Sequence, residues 1–408
     1  MGVAHFYEDF TPTTFRTLGT ARGYLYLPEG FSTPYNYTVA EGRLETFHLK
    51  SISFNQPHRM AEDSTRTVVA KRQFLKNLLA LGTGLAFSPA LLGANASVFP
   101  RHLKKKGTIG LVTPASAVAD HSKVAAFVEL LEARGFNVVI GQHVLGKNGY
   151  LAGTDQERAD DIHRMFSDHR VDAIIAVRGG WGCARLLPLL DFDLIRNNPK
   201  ILLGYSDLTA LLLAIYQKTG LVTYHGPVGL SDWDKFTIRH FERTLMKARK
   251  YRLKGTKPDP SDLALGRTTI TLGKASGILL GGNLAVLSGL VGSPYLPSFK
   301  GAILLLEEVG EEVYRIDRFL MHLKLAGILD EVSGVIFTSC SGCENAEKVP
   351  HSFSLQEILQ QHLGPLGIPA CFGMEVGHIA HQYTLPIGGR VTLDAGKGHL
   401  KLLDRPVA

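Results

Sequence analysis

Ile201-Leu202-Leu203-Gly204-Tyr205-Ser206-Asp207-Leu208 is the stretch on which the fold turns. Ile201 to Gly204 reads as a short, wholly apolar strand, and Asp207 to Lys218 as a helix with Leu208, Leu211, Leu212 and Ile215 on one side. A continuous apolar run, rather than an alternating one, fits a parallel strand buried on both faces. The same unit recurs outward from it. Thr108 to Val112 is a strand that runs into Thr113-Pro114-Ala115-Ser116, Ser122 to Ala133 is a helix stopped by Gly135, and Asn137 to Ile140 is the next strand. A polar helix-forming segment at 156–167 precedes a strand from Val171 to Val177, which ends in Arg178-Gly179-Gly180-Trp181-Gly182. Leu221 to Tyr224 is a short strand before His225-Gly226-Pro227. Strands alternating with helices at this spacing predict a mostly parallel sheet with helices on both faces, and sites at the carboxyl ends of its strands. Ser116, Arg178 to Gly182 and Ser206 fall at those ends.

The second half has a different texture. Residues 254–274 read as a linker, most plainly from Lys254 to Gly266, where two prolines and several charges replace apolar residues. Beyond it come Ile278 to Asn283, a small-residue helical run to Gly289, and a strand Ala302 to Leu306 ending in Glu307-Glu308. Helix Tyr314 to Ala326, strand Val332 to Phe337, helix Ser354 to His362 and short strands and turns from Tyr383 to Leu402 follow. The expected class is α/β, with a first domain at 105–253 and a second α/β domain with a more irregular sheet at 275–402.

The chain has 408 residues, 45% hydrophobic and 20% charged, so two domains with real cores are affordable and a disulfide-stapled miniprotein is excluded. The net charge of +7 is small for this length. Residues 1–59 sum to zero and 60–96 carry a small positive excess. In the remainder, Arg101, Lys104, Lys105 and Lys106 supply much of the surplus. No basic stripe with interleaved aromatics is evident, so nucleic acid is not an expected partner. Lys71-Arg72-Gln73-Phe74-Leu75-Lys76, the apolar stretch Leu78 to Leu92 and Ala94-Asn95-Ala96 have the three parts of an export signal. The run is too short and too interrupted for a transmembrane helix. The hexamer resembles a twin-arginine motif with Lys71 in place of the first arginine; the plainer reading is an amphipathic helix packed on the domain. Residues 60–96 are thus expected to be a signal peptide, and 1–59 a poorly ordered leader or an upstream translation artefact, with a small domain as the alternative.

Ser206 lies between a strand and a helix, where free N–H groups and the helix dipole stabilise oxyanion charge. A serine there is also an ordinary N-cap, and the second glycine of a Gly-x-Ser-x-Gly elbow is missing. Arg178-Gly179-Gly180-Trp181-Gly182 allows close backbone approach to a ligand. Gly281-Gly282 reads equally as a turn, a packing point or part of a site. Neither glycine cluster has dinucleotide or phosphate-loop spacing. Glu307 and Glu308 end an apolar strand and are not expected both to point into the core; one directed into a cleft could orient an imidazole. His378 lies in a loop before Leu385-Pro386-Ile387-Gly388. Cys340-Ser341-Gly342-Cys343 supplies only two metal ligands, and a local disulfide is open to it if the chain is exported.

The ordered set of these segments is similar to the LD-carboxypeptidase family of serine peptidases (family S66), which includes microcin-immunity peptidases. The matching pieces are Thr108-Ile109 through Pro114-Ala115-Ser116, Ala152-Gly153-Thr154-Asp155 with Arg158 and Asp160-Asp161, Arg178 to Gly182, Gly204 to Asp207, His225-Gly226-Pro227 and Gly281-Gly282-Asn283-Leu284. Leu306-Glu307-Glu308 with Tyr314-Arg315, and Gly377-His378 before Leu385 to Gly388, complete it. The resemblance covers roughly 105–400. It implies a Rossmann-like N-terminal domain, a C-terminal domain and a catalytic cleft between them. It also implies a serine–histidine–glutamate triad made of Ser206, His378 and Glu307, in preference to Glu308, with His225 and His381 as neighbours. The N–H groups of Gly180 and Asp207 are assigned to the oxyanion hole. Arg178, Gly179 and Trp181 are assigned to substrate, Arg178 near its free carboxylate. Trp181 stands where a tyrosine is usual, and Ala115 also departs from the family pattern.

The implied reaction is hydrolysis of the bond between the L-configured centre of meso-diaminopimelate and terminal D-alanine in a murein tetrapeptide. No cofactor or metal is implied. A microcin-type amide hydrolase and a non-catalytic ligand-binding protein are the alternatives. The expected partner is a murein-derived peptide, without nucleic acid and without stable membrane insertion once the signal is removed; a homodimer is left open. The location is periplasmic or exported if the signal functions, and cytoplasmic as for many family members if it does not.

Overall fold

The computed structural model describes residues 97–255, 266–343 and 352–408, and ahead of them the strands Ala21–Tyr26 and Ser32–Tyr37. The chain divides into a unit Met1–Phe87 and a unit Ser88–Ala408. In the first, the two strands pair antiparallel with Gly23 opposite Tyr35. Their tyrosines favour a pleated strand, but apolar and polar residues do not alternate cleanly, so the sequence shows no strand period there. The signal-like segment 60–96 lies outside the described residues.

In the second unit the first lobe contributes β1 (Thr108–Val112), β2 (Asn137–Ile140), β3 (Ala173–Ala176), β4 (Ile201–Gly204) and β5 (Thr223–His225). The remainder supplies β6 (Arg252–Leu253), β7 (Thr268–Thr271), β8 (Lys274–Asn283), β9 (Ile303–Val309), β10 (Gly334–Ser341), β11 (Ala370–Phe372), β12 (Leu385–Ile387), β13 (Arg390–Asp394) and β14 (His399–Leu402). The first sheet runs β12-β5-β4-β3-β1-β2 and is parallel except for β12 at its edge. The second runs β6-β14-β13-β8-β9-β10-β11-β7, with a parallel centre from β8 to β11 and antiparallel flanks.

Burial explains the parallel parts. Every residue of β3 and β4 is buried, with Ile174 and Leu202 in one core and Ile175, Ile201 and Leu203 in the other. The core holding Ile174 and Leu202 continues through helix Thr209–Thr219 into Leu279, Leu304 and Ile336 of the second sheet. The two lobes therefore share one core.

Two strand exchanges cross between the lobes. β6, inside the segment assigned to the first domain, pairs with β14 of the second sheet, and β12, from the C-terminal segment, pairs with β5 of the first. β7 lies within the stretch read as linker but closes the edge of the second sheet against β11. All four residues of Thr268-Thr269-Ile270-Thr271 are partly buried, so β-branching, and not alternation, carries that strand.

Candidate active site

Sequence fixes the local geometry around Ser206 through its glycines. β4 ends at Gly204, Tyr205 is extended, and Ser206 opens a single 3-10 turn that leads into helix Thr209–Thr219. Ser206 has φ +65°, a left-handed conformation that a serine adopts only under constraint. The constraint comes from packing above and below the turn. A Cβ on Gly204 would lie 2.1 Å from Leu208 Cδ2, and one on Gly179 would lie 2.9 Å from Ser206 Cβ and 3.0 Å from its Oγ. Gly204 and Gly179 thus make room for a strained strand–turn–helix like that of a nucleophile elbow, although the usual second glycine is replaced by Leu208.

The second lobe brings the other two side chains. Glu307 and Glu308 lie near the end of β9, where the pairing with β10 shifts register between Leu306 and Glu308. That irregularity overturns the expectation that the two carboxylates could not both be buried: Glu307 is 0% and Glu308 2% exposed. Glu307 Oε2 lies 2.7 Å from His378 Nδ1, and His378 Nε2 lies 3.0 Å from Ser206 Oγ. A carboxylate accepts, so the proton belongs on Nδ1 and the Nε2 lone pair faces the serine hydroxyl. Glu308 is turned elsewhere. It accepts from Asn283 Nδ2 at 2.8 Å, Ala285 N–H at 2.8 Å and its neighbour Val309 N–H at 2.9 Å, and burial pushes its carboxyl up to about 7.

His378 is held by its backbone. Ser341 Oγ donates to His378 O at 2.7 Å, and Ser339 Oγ donates to Val376 O at 2.7 Å. Gly377 has φ +108°, and a Cβ there would fall 2.7 Å from Glu307 Oε2, so position and conformation both require glycine. The ring packs 4.8 Å from that of Tyr205, a contact the sequence reading did not assign. Its only signal was adjacency to Ser206. On either side of Ser341, Cys340 and Cys343 form a disulfide with Cα atoms 5.5 Å apart.

The glycine loop after β3 sits against the same turn. Trp181 N–H donates to Ser116 Oγ at 3.1 Å, and Arg178 Nη1 donates to Ala117 O at 2.8 Å. The Trp181 side chain is 50% exposed. Arg158, fully buried, donates from Nη1 to the carbonyls of Pro114 and Gly182, fastening the loops that follow β1 and β3 to each other. Sequence order flagged Arg158 without this role. Asp207 has its carboxylate buried and accepting from Cys183 N–H at 2.7 Å; burial raises its pKa. Gly281-Gly282 proves to be a packing point between lobes. A Cβ on Gly282 would lie 2.4 Å from Thr209 Oγ1, which accepts from Asn283 N–H at 3.0 Å. His225 is buried behind Tyr205, its ring 6.0 Å away, and burial pushes it down to about 4. His381 pairs with Asp234 at 2.8 Å on the surface. Among the described residues, no group of three or more His, Cys, Asp or Glu converges as a metal site.

Comparison with known proteins agrees with this architecture. Residues 109–226 match the model of the LD-carboxypeptidase N-terminal domain, and 276–393 that of its C-terminal domain. A probable murein peptide carboxypeptidase of Bacillus subtilis is 35% identical over 303 residues, 73% of this chain and 92% of that protein. A solved muramoyltetrapeptide carboxypeptidase from Oxalobacter formigenes has a TM-score of 0.66 at 29% identity, covering 74% of this chain and 100% of that one. The microcin C7 self-immunity protein MccF, solved with glutamyl sulfamoyl guanosine, reaches 0.69 at 27% identity, covering 76% and 99%. With both lobes matched in order and relatives of this identity covered almost end to end, the chain belongs to the LD-carboxypeptidase family of serine-type peptidases.

Proposed function

We propose that the chain hydrolyses the L,D-peptide bond to terminal D-alanine in murein tetrapeptides, with Ser206 as nucleophile, His378 as general base and Glu307 as its orienting carboxylate. The observation that carries this reading is the line Ser206 Oγ, His378 and Glu307, with separations of 3.0 and 2.7 Å across the two lobes. Ser206 attacks the scissile carbonyl while His378 Nε2 takes its proton, and the imidazolium then protonates the leaving amine of D-alanine. Glu307 holds the tautomer and balances the charge formed on the ring. Water then repeats the sequence to release the shortened peptide.

The remaining roles follow from position. Gly180 and Asp207 supply the N–H groups for the oxyanion: Asp207 follows the nucleophile directly, and Gly180 follows Gly179, which packs against Ser206. Arg178, Gly179 and Trp181 line the substrate, with Arg178 the cation for its terminal carboxylate. The test is incubation of the full chain with a murein tetrapeptide and, separately, with a pentapeptide ending in D-alanyl-D-alanine. Release of D-alanine from the first and not the second is expected, and the reverse preference overturns the assignment. Cleavage of an aminoacyl sulfamoyl nucleotide in place of either peptide would move the chain to the microcin-immunity reading, which the likeness to MccF supports.

The basic, apolar and small-residue segments in 60–96 support export, with a mature start near Ser97 and domains at about 105–253 and 275–402. Sequencing the N-terminus of protein taken from cells should then begin near residue 97; an intact leader argues for cytoplasmic work.

A further inference from the structure

Basic residues that are scattered in sequence gather into one face of the folded chain. Three surface hollows adjoin one another, the first two sharing Lys247 and the last two sharing Lys250. Among the described residues, eleven lysines and arginines line them, with Glu242 the one carboxylate in the lining. Glu242 is itself 3.7 Å from Arg134. The cations come from the segment before β1 (Lys104 to Lys106), the turn before β2 (Arg134), the run 247–254 and the C-terminal strand region (Lys401, Arg405). Backbone bonds hold these pieces together: Leu103 N–H donates to Leu245 O at 2.8 Å, and Ala408 N–H donates to Pro100 O at 2.8 Å. Each contributing segment is short, so the face has no counterpart as a single basic run in the sequence.

Its position is informative. Lys104 to Lys106 and Arg134 precede the amino ends of β1 and β2, whereas Ser206, Ser116 and the Arg178–Gly182 loop follow the carboxyl ends of β4, β1 and β3. A partner on this part of the basic face therefore leaves the hydrolytic residues open to solvent. Phe136 and Tyr251 are both buried, which leaves the exposed imidazole of His102 as the one ring among the lining residues and no row of rings on which successive bases could stack. What remains is a broad array of exposed ammonium and guanidinium groups, suited to a surface of closely spaced anions. Residues 102–106 line this face.

We propose that the basic face formed by Lys104 to Lys106, Arg134 and residues 247–254 is a docking surface for an anionic phospholipid bilayer, which holds the enzyme at the membrane with its cleft directed away. The attraction is electrostatic and diffuse, so it adds along the face and weakens as salt shortens the Debye length.

The test compares the full chain with a Lys105→Glu/Lys247→Glu/Arg249→Glu/Lys250→Glu variant, by sedimentation with vesicles. One set of vesicles is phosphatidylcholine alone; the other contains about a third phosphatidylglycerol. The parent should favour the anionic vesicles. That preference should fall about tenfold or more in the variant, and in the parent when salt is raised from about 0.05 to 0.5 M. Binding through the apolar stretch alone would be insensitive to both changes. Equal partitioning of parent and variant into anionic vesicles overturns the proposal, as does tighter binding of the parent to a double-stranded DNA oligonucleotide than to those vesicles. Melting temperature and peptide hydrolysis of the variant should match the parent, since none of the four residues touches the hydrolytic site; a variant that melts early is replaced by the corresponding glutamines, which must show the same loss.

Discussion

Ser206 illustrates how much a single residue carries beyond its identity. Family order located it, but a φ of +65° and the nearness of Gly179 are properties of the folded turn. The spacing of small residues in sequence does not display them, because Leu208 occupies the place where a second glycine is usual. Gly179 makes the point testable. It has no left-handed φ, so a methyl group there acts by contact, with Ser206 Cβ and Oγ its nearest neighbours. Gly179→Ala is expected to lower kcat for peptide hydrolysis by about two orders of magnitude through displacement of the nucleophile. The melting temperature should change little by comparison. An alanine variant with parental kcat would show that the turn has room to spare and that its close packing does not position the serine.

At the scale of elements, β9 holds the main departure from a plain reading. A regular strand would send Glu307 and Glu308 to opposite faces, and the sequence led to the expectation that they would not both point into the core. The register shift beside them lets both be buried, one toward His378 and the other toward Asn283 and Ala285. Burial raises the Glu308 carboxyl from 4.5 to about 7. The folded state therefore binds a proton there that the unfolded chain gives up above about 4.5, so this group's contribution to stability falls as pH rises from about 4.5 through about 7, and is level above that. His225 and His240, both pushed down to about 4 by burial, work in the opposite sense: the unfolded chain gains protons below about 6.5 that the fold resists, so stability is lost on acidification from there toward 4. The two trends oppose each other in the parent. Glu308→Gln removes one of them. Unfolding by denaturant at pH 5 and pH 8 should show the parent losing roughly 2–3 kcal/mol relative to the variant across that interval, whatever constant offset the lost hydrogen bond adds. A difference independent of pH would mean that Glu308 is ionised throughout. The remaining misses share a cause: β7 and the crossing strands β6 and β12 are two to four residues long, too short for periodicity to identify them or to assign them to a sheet.

At the scale of the whole molecule, the alternation of buried strands and helices made the parallel sheet legible, and the ordered motifs made the family legible. The exchange of β6 and β12 between sheets was not, because it depends on where the chain returns and leaves no local trace. Nor was the basic face, assembled from segments more than a hundred residues apart. The consequence for function is that Ser206 stands on one lobe and Glu307 and His378 on the other, with a continuous core behind them that sets their spacing. The central claim is that these three side chains act as one device. Rates of D-alanine release from a murein tetrapeptide by the parent, Ser206→Ala, His378→Ala and the double variant test it most directly. Each single change is expected to lower kcat by about four orders of magnitude or more, and the double variant to be no slower than the worse single one. Losses that multiply in the double variant, or substantial hydrolysis by Ser206→Ala, would contradict it.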